Sequence, residues 1–337
     1  MSAHVETDLN VLSDQRAGLF GLSILWIMLF HCSVRPAWFP LWLLASTGYA
    51  GVDVFLLLSG IGLYYSMERD PSPLRFYRRR LARLLPPFLL VALVYEGTRW
   101  AAGAIGAGDF LRNVTLISYW TRGDQSYWFL AAVGLFYLFY PLIYRMIKAR
   151  HRLLQTLVLA ASVAMAFALR RNGVLFYRYC GLVFRIPVFL LGCYAAPAVK
   201  AGRRLRTWPT LLFCAAAALL CWYLWIFCDP WYLRMYLFLP LSAALCLGGG
   251  ILLSFVPASC VAKRLLLTGG GVTLELYLIH EKLISVLTWL FPNHAATWHL
   301  NLAALLLAAV SALLLHRFCT ATVGGGKGTT RRAAKGV

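Results

Sequence analysis

A chain of 337 residues that is 61% hydrophobic and 13% charged, with a mean hydropathy of +0.71, lies outside the range of soluble domains. The composition excludes a soluble enzyme or binding module and defines a polytopic membrane protein. The formal net charge of +20 does not point to nucleic acid, because Lys and Arg fall in short clusters between apolar runs, as membrane topology requires.

Residues 1–17 form a polar tail that ends in Asp14-Gln15-Arg16. The first fifteen residues carry no Lys or Arg and no small-residue cleavage site follows the first apolar run, so that run is a retained span rather than a signal peptide. The first span covers about 18–34 and is uncharged from Gly18 to Phe30, where it meets His31. At about 1.5 Å per residue, His31 lies roughly 20 Å from the start, past the midplane of a hydrocarbon core about 30 Å thick. An ionisable side chain at that depth is a functional candidate, because burial is costly without a partner or a wet cavity. The bland alternative is a histidine that hydrogen-bonds a neighbouring helix.

Arg35-Pro36 breaks this helix, and Trp38, Trp42 and Tyr49 supply interfacial aromatics around a short or re-entrant connection. The second span, about 48–67, precedes the densest basic cluster: Arg69, Arg75, Arg78, Arg79, Arg80 and Arg83. Further apolar runs at about 84–102, 127–147, 153–169, 181–199, 208–227, 232–256, 265–291 and 299–317 bring the expected count to ten. With the N-terminus inside, most of the 32 Lys and Arg fall on inner segments, so both termini are expected in the cytoplasm. The outer connection 103–126 is long enough for a lid or re-entrant piece. The fold class is therefore all-α, with a membrane domain over 18–317 and a basic, Gly-rich, disordered tail over 318–337. The nine cysteines lie singly, without CxxC or Cys/His spacing, so neither a metal site nor a disulfide framework is expected.

Counting back from the inner end of the second span places Asp53 roughly 21 Å up, close to the depth of His31. A carboxylate there would orient the imidazole and raise its basicity, as a general base acting on a hydroxyl needs. The alternative is a solvated Asp53 near the outer interface. Glu275 is near mid-depth if its helix begins at Leu265, and near the inner surface if Gly269-Gly270-Gly271 breaks that helix. His280 falls in the outer half either way. Arg80 and Arg83, before Pro86-Pro87, place two cations at the inner mouth of the third span, where they suit the phosphates of a nucleotide-like donor. Positive-inside topology explains arginines here equally. Arg185 has no topological reason and is expected to line a cavity or meet a carboxylate. No Walker loop, dinucleotide fingerprint or G-x-S-x-G elbow is present, and acyl transfer with a histidine base fits the groups available.

Several segments in order resemble the membrane acyltransferase 3 family, integral-membrane enzymes that O-acylate carbohydrates in bacteria. They are Gly21-Leu-Ser-Ile-Leu-Trp-Ile-Met-Leu-Phe-His31, Gly51-Val-Asp-Val-Phe-Leu-Leu-Leu-Ser59-Gly60, Phe76-Tyr-Arg-Arg-Arg80-Leu-Ala-Arg83-Leu-Leu-Pro86, Trp128-Phe-Leu with Phe139-Tyr-Pro141, Arg185-Ile-Pro-Val-Phe-Leu-Leu-Gly192 and Tyr277-Leu-Ile-His280. The resemblance implies a ten-span fold in the bacterial cytoplasmic membrane and transfer of an acyl group, usually acetyl from acetyl-CoA, to a sugar hydroxyl of a surface glycan or its lipid-linked precursor. It implies His31 as the catalytic histidine, with Arg80 and Arg83 as the family's Arg-x-x-Arg pair at the donor phosphates. Ser59, Trp128, Arg185, Glu275 and His280 are the expected substrate-side residues. Many members carry an Arg eleven residues before the histidine; here Phe20 stands there, and Arg16 lies one turn earlier on the same face. The alternative class is a transporter or lipid flippase in which His31, Asp53 and Glu275 relay protons or hold a headgroup.

Overall fold

The computed structural model describes residues 6–34, 36–227, 234–294 and 297–324. Arg35, Cys228 and the tail from 325 lie outside the described residues. Eight helices among the described residues are long and apolar enough to cross a membrane.

The N-terminal segment is tied down rather than trailing. Strand β1 (Glu6–Asp8) pairs antiparallel with β2 (Arg204–Arg206), setting Glu6 opposite Arg206 and Asp8 opposite Arg204. Opposite charges across an exposed ribbon favour this register, and Arg204 reaches Glu6 at 3.4 Å. A single turn, α1 (Val11–Asp14), then leads into α2 (Arg16–His31), shorter than the expected first span. The connection after α2, expected to be short or re-entrant, holds a short helix, α3 (Phe39–Ser46), followed by a 3-10 turn at Gly48–Ala50.

α4 (Gly51–Arg69) is the central helix. Of the apolar window in its span, 78% is buried, against 17% for the helices at 152–169 and 207–227. A helix apolar all round belongs inside a bundle. α5 (Pro73–Ala101) begins at an Ser72 cap with Pro73 at its first position, eleven residues earlier than the sequence indicates, and runs on through Pro86-Pro87. Arg75 to Arg83 therefore lie on its first turns and not in a loop.

The connection 103–126 folds as α6 (Ala107–Val114) and α7 (Ile117–Arg122). α8 (Trp128–Lys148) and α9 (Arg152–Leu169) follow. The next apolar segment is broken at Arg185 into α10 (Gly173–Val183) and α11 (Ile186–Lys200), then come α12 (Thr207–Phe227) and α13 (Phe238–Phe255). The glycines at 269–271 do interrupt the next run: α14 (Val261–Gly271) stops, the Val272 N–H turns back to Thr268 and Gly269, and α15 (Thr273–Leu290) begins. α16 (Trp298–Gly324) carries the helix past the expected tail boundary at 318.

α2 and α14 meet backbone to backbone. A Cβ at Gly270 would sit 1.8 Å from the Ala17 carbonyl oxygen, and one at Gly21 2.1 Å from that of Leu266. Only glycine permits this approach.

Candidate active site

His31 closes α2 with its ring half-buried. Its Nδ1 lies 2.9 Å from the Ile27 carbonyl oxygen and 3.2 Å from Nε2 of His280 on α15. His280 is 1% exposed, and its own Nδ1 lies 2.8 Å from the Leu276 carbonyl oxygen. A carbonyl only accepts, so a neutral His280 donates from Nδ1 and presents Nε2 as an acceptor. His31 Nδ1 then faces two acceptors and holds its proton, which leaves the lone pair on His31 Nε2. This assignment follows from the hydrogen-bond pattern alone. Among the described residues, nothing hydrogen-bonds that nitrogen. The Ile27 carbonyl and the second histidine together do what a carboxylate was expected to do: they fix the tautomer.

Asp53 is elsewhere engaged. Buried on α4, its carboxylate lies 3.7 Å from Nε of Arg185, which sits at the break between α10 and α11. Arg185 donates to the carbonyls of Gly181 at 2.9 Å and Tyr49 at 3.2 Å, and its guanidinium lies 4.9 Å from the Trp128 ring centre. The expected direct pairing of Asp53 with His31 is not what the structure shows, and the expectation that Arg185 meets a carboxylate is. Trp128 spends its π face on that cation.

The break at Val272 places Glu275 in the first turn of α15, where a carboxylate suits the positive end of the helix. It accepts from His316 Nδ1 on α16 at 2.8 Å. Sequence reasoning missed His316; the available signal was an imidazole near the end of the last apolar run, beyond Leu313-Leu314-Leu315.

Arg16, Arg80 and Arg83 line one cleft of about 110 Å³, together with Ser59 and Tyr277. Arg16 lies over Gly62, where a Cβ would come within 2.3 Å of its guanidinium, and 4.9 Å from the Phe20 ring. It thus reaches past Phe20 into the same cleft as the other two. Arg80 lies over the rings of Phe76 and Tyr137. The buried Nε atoms of Arg16 and Arg80 have no hydrogen-bond partner, and none of the three arginines forms an ion pair among the described residues. Three cations sharing a cleft without a carboxylate repel one another and favour an anion between them. At the far wall Tyr277 packs on Phe129, with ring centres 4.7 Å apart, and its ring centre lies 5.9 Å from that of His280. The histidine pair begins one helical turn beyond the cleft.

A multi-pass helical bundle with an anion-ready cleft and a histidine pair one helical turn beyond its Tyr277 wall has the equipment of a membrane group-transfer protein. The chain belongs to the Acyltransferase domain family (Acyl_transf_3), whose profile matches residues 20–317. It is similar to the putative membrane-bound transacylase BcsY of Komagataeibacter xylinus, 37% identical over 118 residues, which cover 33% of this chain and 28% of that protein. It is also similar to the O-acetyltransferase OatA of Staphylococcus aureus (strain NCTC 8325 / PS 47), 27% identical over 210 residues, 53% of this chain and 33% of that protein. The matches therefore span about a third of the length of these relatives. No solved structure matches the chain.

Proposed function

We propose that this membrane acyltransferase moves an acetyl group from acetyl-CoA to a hydroxyl of a cell-surface carbohydrate or lipid-linked sugar. The observation that carries the proposal is the His31–His280 pair, with a free Nε2, one turn beyond a cleft lined by three unpaired arginines. The protein would cross a bacterial cell membrane ten times with both termini in the cytoplasm, α2 and the α14–α15 segment adding two crossings to the eight long helices. The relatives' names, a transacylase and an O-acetyltransferase, agree with the reaction class.

Arg16, Arg80 and Arg83 would take the donor phosphates. Arg16 and His31 stand at opposite ends of α2, about 22 Å apart at 1.5 Å per residue. A donor anchored there must present its acyl group on a long arm, as a phosphopantetheine thioester does. His31 Nε2 takes the proton of the acceptor hydroxyl as its oxygen attacks the thioester carbonyl; the C–S bond breaks, and the proton passes to the departing thiolate. Ser59 and Tyr277 line the path of the arm. Asp53, Arg185 and Trp128 hold α4 against α8 and α11 and act as positioning residues, and Glu275 with His316 does the same for α15 and α16.

The test is transfer of label from radiolabelled acetyl-CoA in membranes expressing the wild type, His31→Ala and Arg80→Ala at matched levels. Label reaching a glycan or lipid-linked sugar in the wild type and lost in His31→Ala is expected. Equal transfer by His31→Ala would remove the proposed base, and failure of the wild type to bind acetyl-CoA would favour a transporter.

A further inference from the structure

A second cavity lies at the membrane surface where α8 ends, α9 begins and α11 ends, the side that the charge bias assigns to the cytoplasm. It encloses about 510 Å³ and is lined by Lys148, Arg150, Arg152 and Arg203 with Gln155 and Tyr194. Lys148 is answered by Glu68 at 3.0 Å. Arg150, Arg152 and Arg203 form no ion pair among the described residues, and the buried Tyr194 hydroxyl has no hydrogen-bond partner. Topology accounts for basic residues on this side of a membrane, but not for their convergence on one concavity with an unpaired hydroxyl in its wall.

The backbone at Arg150 adds an independent observation. α8 ends in a turn in which the Arg150 N–H bonds to the Ile147 carbonyl and the His151 N–H to that of Met146, with Arg150 at φ 55°. That left-handed position is where glycine is preferred. The chain follows this preference after α5, α7 and α11, where Gly103, Gly123 and Gly202 take positive φ. At the end of α8 it places an arginine instead. The strain is local, and it sets a guanidinium into the cavity wall.

The geometry points to a phosphate-binding site in this cavity, distinct from the arginine cleft of the acyltransferase site, that takes the phosphodiester of an anionic phospholipid headgroup or a soluble diphosphate. Guanidinium groups bind phosphate oxygens through paired charge-assisted hydrogen bonds, and basic pockets between membrane helices at this surface suit such groups. Nothing in the proposal depends on the acyl-transfer reaction.

The experiment uses the full-length protein in neutral detergent and follows thermal unfolding with dioctanoyl-phosphatidylglycerol, dioctanoyl-phosphatidylcholine or inorganic pyrophosphate. The wild type should gain about 3 °C or more with phosphatidylglycerol relative to phosphatidylcholine. A response to phosphatidylglycerol alone assigns the site to a lipid, and an equal response to pyrophosphate assigns it to a soluble phosphate. Arg150→Gly relieves the backbone, so it should fold as well as the wild type and lose most of the gain; Arg150→Gly with Arg152→Gln should lose more, any remainder belonging to the cleft of Arg16, Arg80 and Arg83. Arg145→Gln, which removes an exposed charge outside the cavity, should keep it. The proposal is overturned if neither anion exceeds phosphatidylcholine, if the double variant responds as the wild type does, or if Arg145→Gln loses the response to the same extent.

Discussion

Two polar pairs stand in the same bundle and do opposite things. Asp53 and Arg185 cancel each other's charge, and the guanidinium is further occupied by two carbonyls and the Trp128 ring. His31 and His280 carry no compensating charge, and their hydrogen bonds leave one nitrogen unoccupied. A cation answered by a carboxylate and tied to two carbonyls holds helices together, whereas a group with a lone pair left over is available to a substrate. Depth in the membrane does not separate these cases; the partners do.

The contrast is broken most severely by His280→Ala. Without His280, His31 Nδ1 keeps only the Ile27 carbonyl and the ring is no longer held from its neighbour's side, so turnover should fall on the order of 10²-fold or more. Turnover within twofold of the wild type, measured on purified protein, would show that His31 does not need its neighbour. Asp53→Asn should act in the opposite sense, lowering stability by roughly 3 kcal/mol because Arg185 is left as an uncompensated buried cation. The double variant Asp53→Asn with Arg185→Met should recover much of that loss in thermal unfolding. If it does not, the pair is more than a brace.

Arg16→Ala sharpens the comparison at the cleft, where charge is present but unanswered. It should raise the KM for the acyl donor about tenfold while leaving kcat nearly unchanged, since a phosphate contact is the same in ground and transition states. The smallest effect is expected at Asp70, in the connection between α4 and α5. Hydrogen bonds from Arg75 and then Arg79 hold its carboxyl well below the usual carboxylate range. A depressed folded pKa contributes stability that is complete above the unfolded value of about 3.9 and is lost as pH falls further. The difference in unfolding temperature between the wild type and Asp70→Asn should therefore be constant from pH 7 to about 4 and shrink below it.

Much of this arrangement is legible in the sequence because the membrane imposes simple rules. Apolar runs mark α4, α8, α9, α12 and α13 to within a few residues, and an arginine without topological reason marks Arg185 as a partner for a carboxylate. The start of α5 is misplaced because the basic run from Arg75 to Arg83 reads as a loop by hydropathy, although Ser72 and Pro73 are a helix start. The partner of His31 is not legible by the same logic. Asp53 and His280 are both expected in the outer half of their spans, and which one faces α2 depends on how α15 is rotated after the break at Val272. The pairing of Glu275 with His316 depends on the same rotation. Strands β1 and β2 lie almost two hundred residues apart, and three residues each are too short to give a periodic signal.

The contact between α2 and α14 at Gly21 and Gly270 bears on how freely this sequence can drift. The lipid-facing leucines meet a fluid that accepts any apolar shape, and the cleft arginines have flexible stems that can reach from more than one position, as Arg16 does past Phe20. The two glycines have no such latitude, because each stands where a carbonyl oxygen of the other helix already occupies the room for a methyl group. A single added carbon at Gly270 would push α14 outward and carry the start of α15, and with it His280, away from His31. The separation of two imidazoles is thus inherited from two residues that have no side chain at all.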